Sequence, residues 1–264
     1  MTTTPTIEHP EAWRLLLSFD DAALQYAAFI PDHKGSLMAA TLPLPDEMAP
    51  LAGIEEQVYR HDTLLPLTYG TTDVLLRAKR FLLLPEAEVA EAETQWHDVY
   101  AEVEGELLCL PVASCGIMAV ADVPRGVKGF VERTWQGATL HFHLEPLLNL
   151  ARQTLRPESH RSLWCVVGEQ WLDLAVFYGN ELQMANSIAY SDPSEPLYYM
   201  MSVWKSYELD QRGDTLRLLG ATQELATELR RFVAFTLTDT LPEHLLSMGS
   251  AADNVSPLLM LLAL

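Results

Sequence analysis

His141, His143 and Glu145 alternate along His141-Phe142-His143-Leu144-Glu145, and in a strand such alternation puts all three side chains on one face. Two histidines at this spacing can chelate a metal ion. In a straight strand Glu145 stands ~13 Å from His141, so a third ligand has to come from elsewhere, with His97 and Asp98 as guesses. A metal site needs several converging ligands. The favoured reading is therefore strand histidines that are solvated or hydrogen-bonded. A metal hydrolase using His141 and His143 is the alternative, and no metal is assigned.

Other chemistry-bearing patterns are missing. No Gly-x-Ser-x-Gly elbow occurs, and Cys115-Gly116 has no histidine partner at a recognisable spacing. Neither a glycine-rich dinucleotide loop nor a phosphate-binding loop ending in Gly-Lys-Ser/Thr is present. Cys109, Cys115 and Cys165 are odd in number and lack Cys-x-x-Cys spacing, which fits reduced, mostly buried thiols. No residue is assigned as catalytic.

Charge narrows the partners. Seventeen Lys and Arg against 36 Asp and Glu give a formal net charge of -19, which repels nucleic-acid backbones and anionic lipid surfaces. Neither is expected as a partner. The basic clusters weighed against this, Arg77-Ala78-Lys79-Arg80 and Arg230-Arg231, are short. Met1-Thr2-Thr3-Thr4-Pro5 does not resemble a secretory signal, so a cytoplasmic location is expected. The apolar run Pro257 to Leu264 is far below the ~20 residues of a membrane span, and docking into the core is its expected role.

The elements that would position any site begin with two strands, Trp13 to Phe19 and Ala23 to Ile30, around the turn formers Asp20-Asp21. A third strand, Ser36 to Leu44, leads to a helix over Glu47 to Arg60. A buried strand over Arg80 to Leu84 precedes a helix over Glu86 to Tyr100, and Leu107 to Leu110 and Gly116 to Val120 are further strands. A helix from Pro124 to Trp135, a strand Thr139 to Leu144 and a helix Pro146 to Leu155 follow.

After Arg156 to Arg161 the opening pattern returns. Leu163 to Val167, Trp171 to Tyr178 and Glu181 to Tyr190 are strands, and a helix runs from Ser194 to Glu208. Leu24, Tyr26 and Phe29 align with Leu172, Leu174 and Phe177 at a constant offset of 148 residues, too long for a solenoid repeat. The chain therefore divides into residues 1–157 and residues 158–264, the second with the apolar C-terminal segment.

Two copies of a three-stranded meander followed by a helix resemble the actin, hexokinase and heat-shock-chaperone superfamily. Within it the chain is most similar to an uncharacterised bacterial family that looks like the actin-like pilus-assembly proteins. The residues that carry this are Phe177-Tyr178-Gly179-Asn180-Glu181-Leu182, Asn186-Ser187, Leu197-Tyr198-Tyr199-Met200 and Thr215 to Ala221; the first half matches by element order. The resemblance implies an α/β, duplicated ribonuclease-H-like (actin-like ATPase) fold, each half a mixed sheet flanked by helices.

It also implies where a nucleotide would bind: at the first hairpin turn with its acid, here Asp20; at the corresponding turn of the second half, here Gly168; and at the adenosine motif, here Gly220. All three depart from the pattern. The first turn, Asp20-Asp21-Ala22-Ala23, has no glycine, Trp171 follows Gly168 closely, and Leu218-Leu219-Gly220-Ala221 has one glycine rather than a pair. Glycine matters there because a side chain blocks close backbone approach to phosphate. Asp20 could hold magnesium through water, but capping its own turn is the favoured role. No cofactor is expected, with ATP and magnesium as vestigial ligands.

Leu197, Met200, Met201, Trp204 and Tyr207 recur at helical spacing and make a core face. Tyr198, Tyr199 and Lys205 are the candidate interaction surface, since aromatic residues are enriched at interfaces. The functional expectation is a non-catalytic protein-interaction or scaffold module on a degenerate actin-like ATPase fold, with a protein partner or a second copy of itself. The alternative is a nucleotide-binding or divergent ATP-dependent enzyme.

Overall fold

The computed structural model describes residues 7–31, 33–45, 47–61, 64, 68–156, 160–238, 241 and 250–264. In chain order the elements are β1 (Arg14–Phe19), β2 (Ala23–Phe29), β3 (Met38–Pro43), α1 (Pro50–Arg60), β4 (Thr71–Leu76), β5 (Phe81–Pro85), α2 (Ala92–Val99), β6 (Glu106–Val112), β7 (Ile117–Val123), α3 (Val127–Thr134), β8 (Thr139–Phe142) and α4 (Glu145–Thr154). Then follow β9 (Ser162–Val167), β10 (Trp171–Tyr178), β11 (Glu181–Ala189), α5 (Glu195–Ser206), β12 (Thr215–Leu219), α6 (Gln223–Leu229), β13 (Phe235–Thr238) and α7 (Pro257–Leu261).

Two five-stranded mixed sheets share one topology. The first is ordered β3-β2-β1-β4-β8 and the second β11-β10-β9-β12-β13. In each, an antiparallel meander is extended by two strands parallel to its first strand or to the next. The first hairpins match in register as well: Leu16 faces Ala27, and Trp164 faces Ala175, both pairs displaced by 148 residues. The second hairpins do not, since Ala27 faces Ala39 but Ala175 faces Ala185. The return path is two residues longer in the first copy.

Central position explains the apolar runs. β1 lies between β2 and β4, and β9 between β10 and β12, so Leu15-Leu16-Leu17 and Leu163-Trp164-Cys165 are buried throughout rather than alternately. The strand at Thr71–Leu76 had no expectation. It is the partner that parallels β1 along its whole length, and its leading residues Thr71-Thr72-Asp73 lack the apolar signal that marked the other strands.

Between β4 and β8 the first copy carries an insertion, a three-stranded antiparallel sheet ordered β5-β7-β6. Its own small core is Leu84, Ala92, Trp96 and Val120. The helix expected over residues 86–100 is a 3-10 segment, Glu86–Glu91, followed by α2. The strand expected over residues 139–144 ends at Phe142, because Pro146 opens α4 at its first turn. That shortening rearranges the histidine cluster.

The apolar C-terminal segment docks as expected. Leu258, Leu259, Met260 and Leu261 are at most 2% exposed and join the core that contains the first sheet. Ser256 caps α7 by accepting from the Leu258 amide at 3.2 Å. Arg14 closes the other end, donating to the Leu262 and Ala263 carbonyls at 2.9 and 3.1 Å, where a cation complements the helix dipole. No helix among the described residues is long and apolar enough to cross a membrane.

Candidate functional site

The two hairpin turns singled out in the sequence face a single buried side chain, Arg77, which directly follows β4. Parallel pairing of β1 with β4 sets Leu76 beside Phe19, and the Arg77 amide donates to the Phe19 carbonyl at 3.0 Å. The backbone of Arg77 is therefore fixed next to Asp20. Its guanidinium reaches into the second copy, donating to Asp173 Oδ1 at 2.8 Å, Asp173 Oδ2 at 2.9 Å and Ser187 Oγ at 2.8 Å. It also lies 5.0 Å from the Trp171 ring centroid, within cation–π range.

The pair is 9% and 2% exposed. Burial alone raises the Asp173 carboxyl, but the charge and hydrogen bonds of Arg77, then His143 and Ser187, outweigh it and hold the group below the usual carboxylate range. Arg77 is shifted upward: burial opposes its charge, and Asp173 overcomes burial. Ser187 also donates to Asp173 Oδ1. Both Asp173 oxygens thus accept from Arg77, and Oδ1 accepts from Ser187 as well, the kind of hydrogen bonding that a buried ion pair requires.

Asp20 caps its own turn. Its Oδ1 accepts from the Ala22 and Ala23 amides at 2.8 and 2.7 Å, so these donors point at a carboxylate of the same turn. The cavity bounded by Asp20, Leu76, Arg77 and Val127 holds about 10 Å³, room for at most one water. Gly168 is likewise committed. Its amide donates to the Trp171 carbonyl at 2.9 Å, and its carbonyl accepts from the Tyr190 hydroxyl.

Gly220 has a steric reason to be glycine. Its φ is +71°, and a Cβ there would stand 2.4 Å from the Val167 carbonyl oxygen and 3.3 Å from Pro257 Cγ. It lets the end of β12 pass close to β9 and α7.

The two β8 histidines serve different partners. His141 Nε2 lies 3.1 Å from Asp73 Oδ1, and Nδ1 lies 3.0 Å from Glu145 Oε2. Glu145 reaches His141 because the chain turns into α4 after Phe142, which corrects the straight-strand separation. Burial pulls the His141 pKa down, but hydrogen bonds and charges from Asp73 and Glu145 raise it to about 9, so the ring is cationic at neutral pH. Arg14 completes the cluster through Asp73 Oδ2 at 3.0 Å.

His143 is fully buried against Phe142 and Phe81, with ring centroids at 4.5 and 5.5 Å. Burial first, then the Arg77 charge, lower its pKa to about 3. The Ala78 amide points at Nδ1 from 3.5 Å, which assigns the proton to Nε2. That atom has no hydrogen-bond partner, with Asp173 Oδ1 at 3.9 Å. His97 and Asp98 are exposed on α2, against the small sheet rather than β8. No group of three His, Cys, Asp or Glu among the described residues is placed to hold a metal ion.

Of the remaining candidates, Tyr198 and Lys205 lie on the surface. Tyr198 is 68% exposed; Lys205, seven residues on, shares its stripe of α5. Tyr199 turns toward the core of the second sheet and meets the Tyr198 ring edge-on at 5.5 Å. Of the cysteines, Cys165 is buried, Cys115 half-buried and Cys109 exposed. The cationic run disperses into ion pairs: Arg77 with Asp173, Lys79 with Asp21, and Arg80 with Asp122 and Glu104.

Sequence reading missed Arg77, Asp73 and Asp173. One signal was available: Asp173 sits in Trp171-Leu172-Asp173-Leu174-Ala175-Val176, and a charge inside an apolar strand has to be paired. Its partner, 96 residues away, is a matter of topology.

The architecture has solved counterparts. A protein from Bacteroides thetaiotaomicron, described as having an actin-like ATPase fold and unknown function, superposes with a TM-score of 0.76, covering 89% of this chain and 94% of its own at 17% identity. PilM of the PilM-PilN type IV pilus biogenesis complex gives 0.59, with 95% and 97% covered at 14% identity. These likenesses establish an actin-like ATPase fold. No curated protein matches the sequence. The profile of the family described as "Protein of unknown function (DUF3822)" matches residues 2–234, and the chain belongs to that family.

Proposed function

We propose that this protein is a non-catalytic interaction or scaffold module that keeps an actin-like ATPase fold while its own side chains fill the cleft. The observation that carries this reading is Arg77, which spans from the Asp20 turn to Asp173 and leaves about 10 Å³ beside the acid. A phosphate cradle depends on backbone amides that point into open space. Here the amides of Ala22, Ala23 and Gly168 already have acceptors within the fold.

The fold neighbour solved as the PilM-PilN type IV pilus biogenesis complex supports a protein partner as the type of ligand. ATP-dependent chemistry would require Arg77 to leave Asp173. Metal hydrolysis through His141 and His143 would require His141 to lose a proton and release one of its two carboxylates. Titration calorimetry with Mg-ATP and Mg-ADP, with a phosphate-release assay, tests the reading. No binding heat and no turnover are expected. Micromolar binding with turnover abolished by Asp20→Ala would overturn it.

A further inference from the structure

A groove of about 760 Å³ opens between the small inserted sheet and the second large sheet, a size within the range of ligand pockets. Its walls are strand edges rather than strand faces. Residues 180–186 line it without a gap, as do Phe81, Leu82 and Leu83 opposite. A strand face would contribute every second residue, whereas an edge contributes each one. β11 pairs only with β10 among the described strands, and β5 only with β7, so two rows of main-chain donors and acceptors border one groove.

Edges of this kind are normally blunted against indiscriminate pairing. The devices here are local: a register shift in β11, where Gln183 is left out of the β10 ladder, and Pro85 at the end of β5. The floor is braced by Arg152, which donates to the Ser114 carbonyl at 2.9 Å and also to the Asn180 carbonyl. Its charge is thereby turned toward the fold. Glu181, exposed at the rim, is the carboxylate lining the groove, on a chain of net charge -19.

We propose that this groove docks an extended peptide segment of a protein partner, which adds as a strand along the β11 edge. Alternate apolar side chains of the segment pack on Leu83, Leu182 and Ala185, which share one face, and a Lys or Arg at one end pairs with Glu181. Main-chain hydrogen bonds supply affinity and the alternate pockets supply specificity in strand addition. Residues 181–186 span ~20 Å when extended, enough for a segment of about six residues. The proposal rests on the interaction-module reading and gives that module its surface.

The test pans a displayed library of random linear dodecapeptides against the full-length chain and titrates the best binder in synthetic form. Enriched peptides are expected to alternate apolar residues and carry Lys or Arg, and to slow amide exchange across residues 181–186. Leu83→Arg is expected to weaken binding about tenfold, and N-methylation of one central peptide amide about as much. The methylated peptide leaves the protein untouched, so it decides the matter even if the variant misfolds. No enriched binder, or a binder indifferent to both changes, overturns the proposal. Protection of the Tyr198 and Lys205 face instead overturns the groove but keeps the interaction module. A peptide-free dimer with β11 amides already protected also overturns it, since the edge is then used between copies. Mg-ATP turnover would remove the module reading independently of the peptide result.

Discussion

Arg77 and Asp173 lie 96 residues apart in the chain and meet as a two-pronged buried ion pair, with both contacts at 2.8–2.9 Å. Arg77 directly follows β4 of the first sheet and Asp173 lies within β10 of the second, strands that are not equivalent in the two copies, and together they tie one copy of the duplicated unit to the other. Removing either partner leaves the other charge buried.

Arg77→Ala or Asp173→Ala should each lower stability by about 3–5 kcal/mol, because an uncompensated buried charge is costly. The double variant Arg77→Met/Asp173→Leu should recover much of the loss. Urea unfolding of all three checks this, and simple additivity would contradict the pairing.

Acid sensitivity should carry a His143 component. Its folded pKa is about 3 against an ordinary 6.5, so below pH 6.5 the unfolded chain takes up a proton that the folded chain refuses. Stability therefore falls as pH drops from 6.5 toward 3, at up to about 1.4 kcal/mol per pH unit. His143→Leu should flatten that slope by about one proton, read from unfolding free energies across pH 4–6.

His141 should act in the opposite direction. Its folded pKa is raised to about 9, so its contribution is complete below pH 6.5 and is lost as pH rises through 9. A ring-carbon NMR titration should show a midpoint near 9. Asp73→Asn or Glu145→Gln should bring that midpoint down.

Gly220→Ala should destabilise the protein in the absence of any nucleotide. The left-handed backbone alone costs an alanine about 1–2 kcal/mol, and the 2.4 Å approach to the Val167 oxygen adds displacement of the strand. Thermal unfolding without ligand measures this. An unchanged melting temperature would return Gly220 to a ligand-binding role.

Deletion of residues 257–264 should prevent stable folding. The five side chains buried there, Leu258 to Leu262, contribute roughly 1.5–3 kcal/mol each, comparable in sum with the ~5–15 kcal/mol that holds a domain together. Circular dichroism and amide exchange of the truncated chain would report the loss.

Local pattern alone determined much of this protein. Apolar runs at Leu15–Leu17 and Leu163–Val166 marked strands, the turn formers at Asp20-Asp21 and Gly179-Asn180 marked hairpins, and the 148-residue offset reappears in the register of Leu16 with Ala27 and Trp164 with Ala175. The signal is local because side-chain alternation and turn chemistry act over a few residues. β4 escaped notice because half of it is polar, and its strand identity comes from pairing with β1.

The contacts that define the cleft were decided only by tertiary structure. Arg77 stood in a short cationic run weighed only for nucleic-acid binding, and β-sheet topology carried it inward to Asp173. Glu145 reached His141 because a strand ended two residues before the expected point and the chain turned. The edges of β5 and β11 border one groove because an insertion in one copy lies against the other. Such relationships depend on which distant segments are neighbours, and residue spacing along the chain does not encode that.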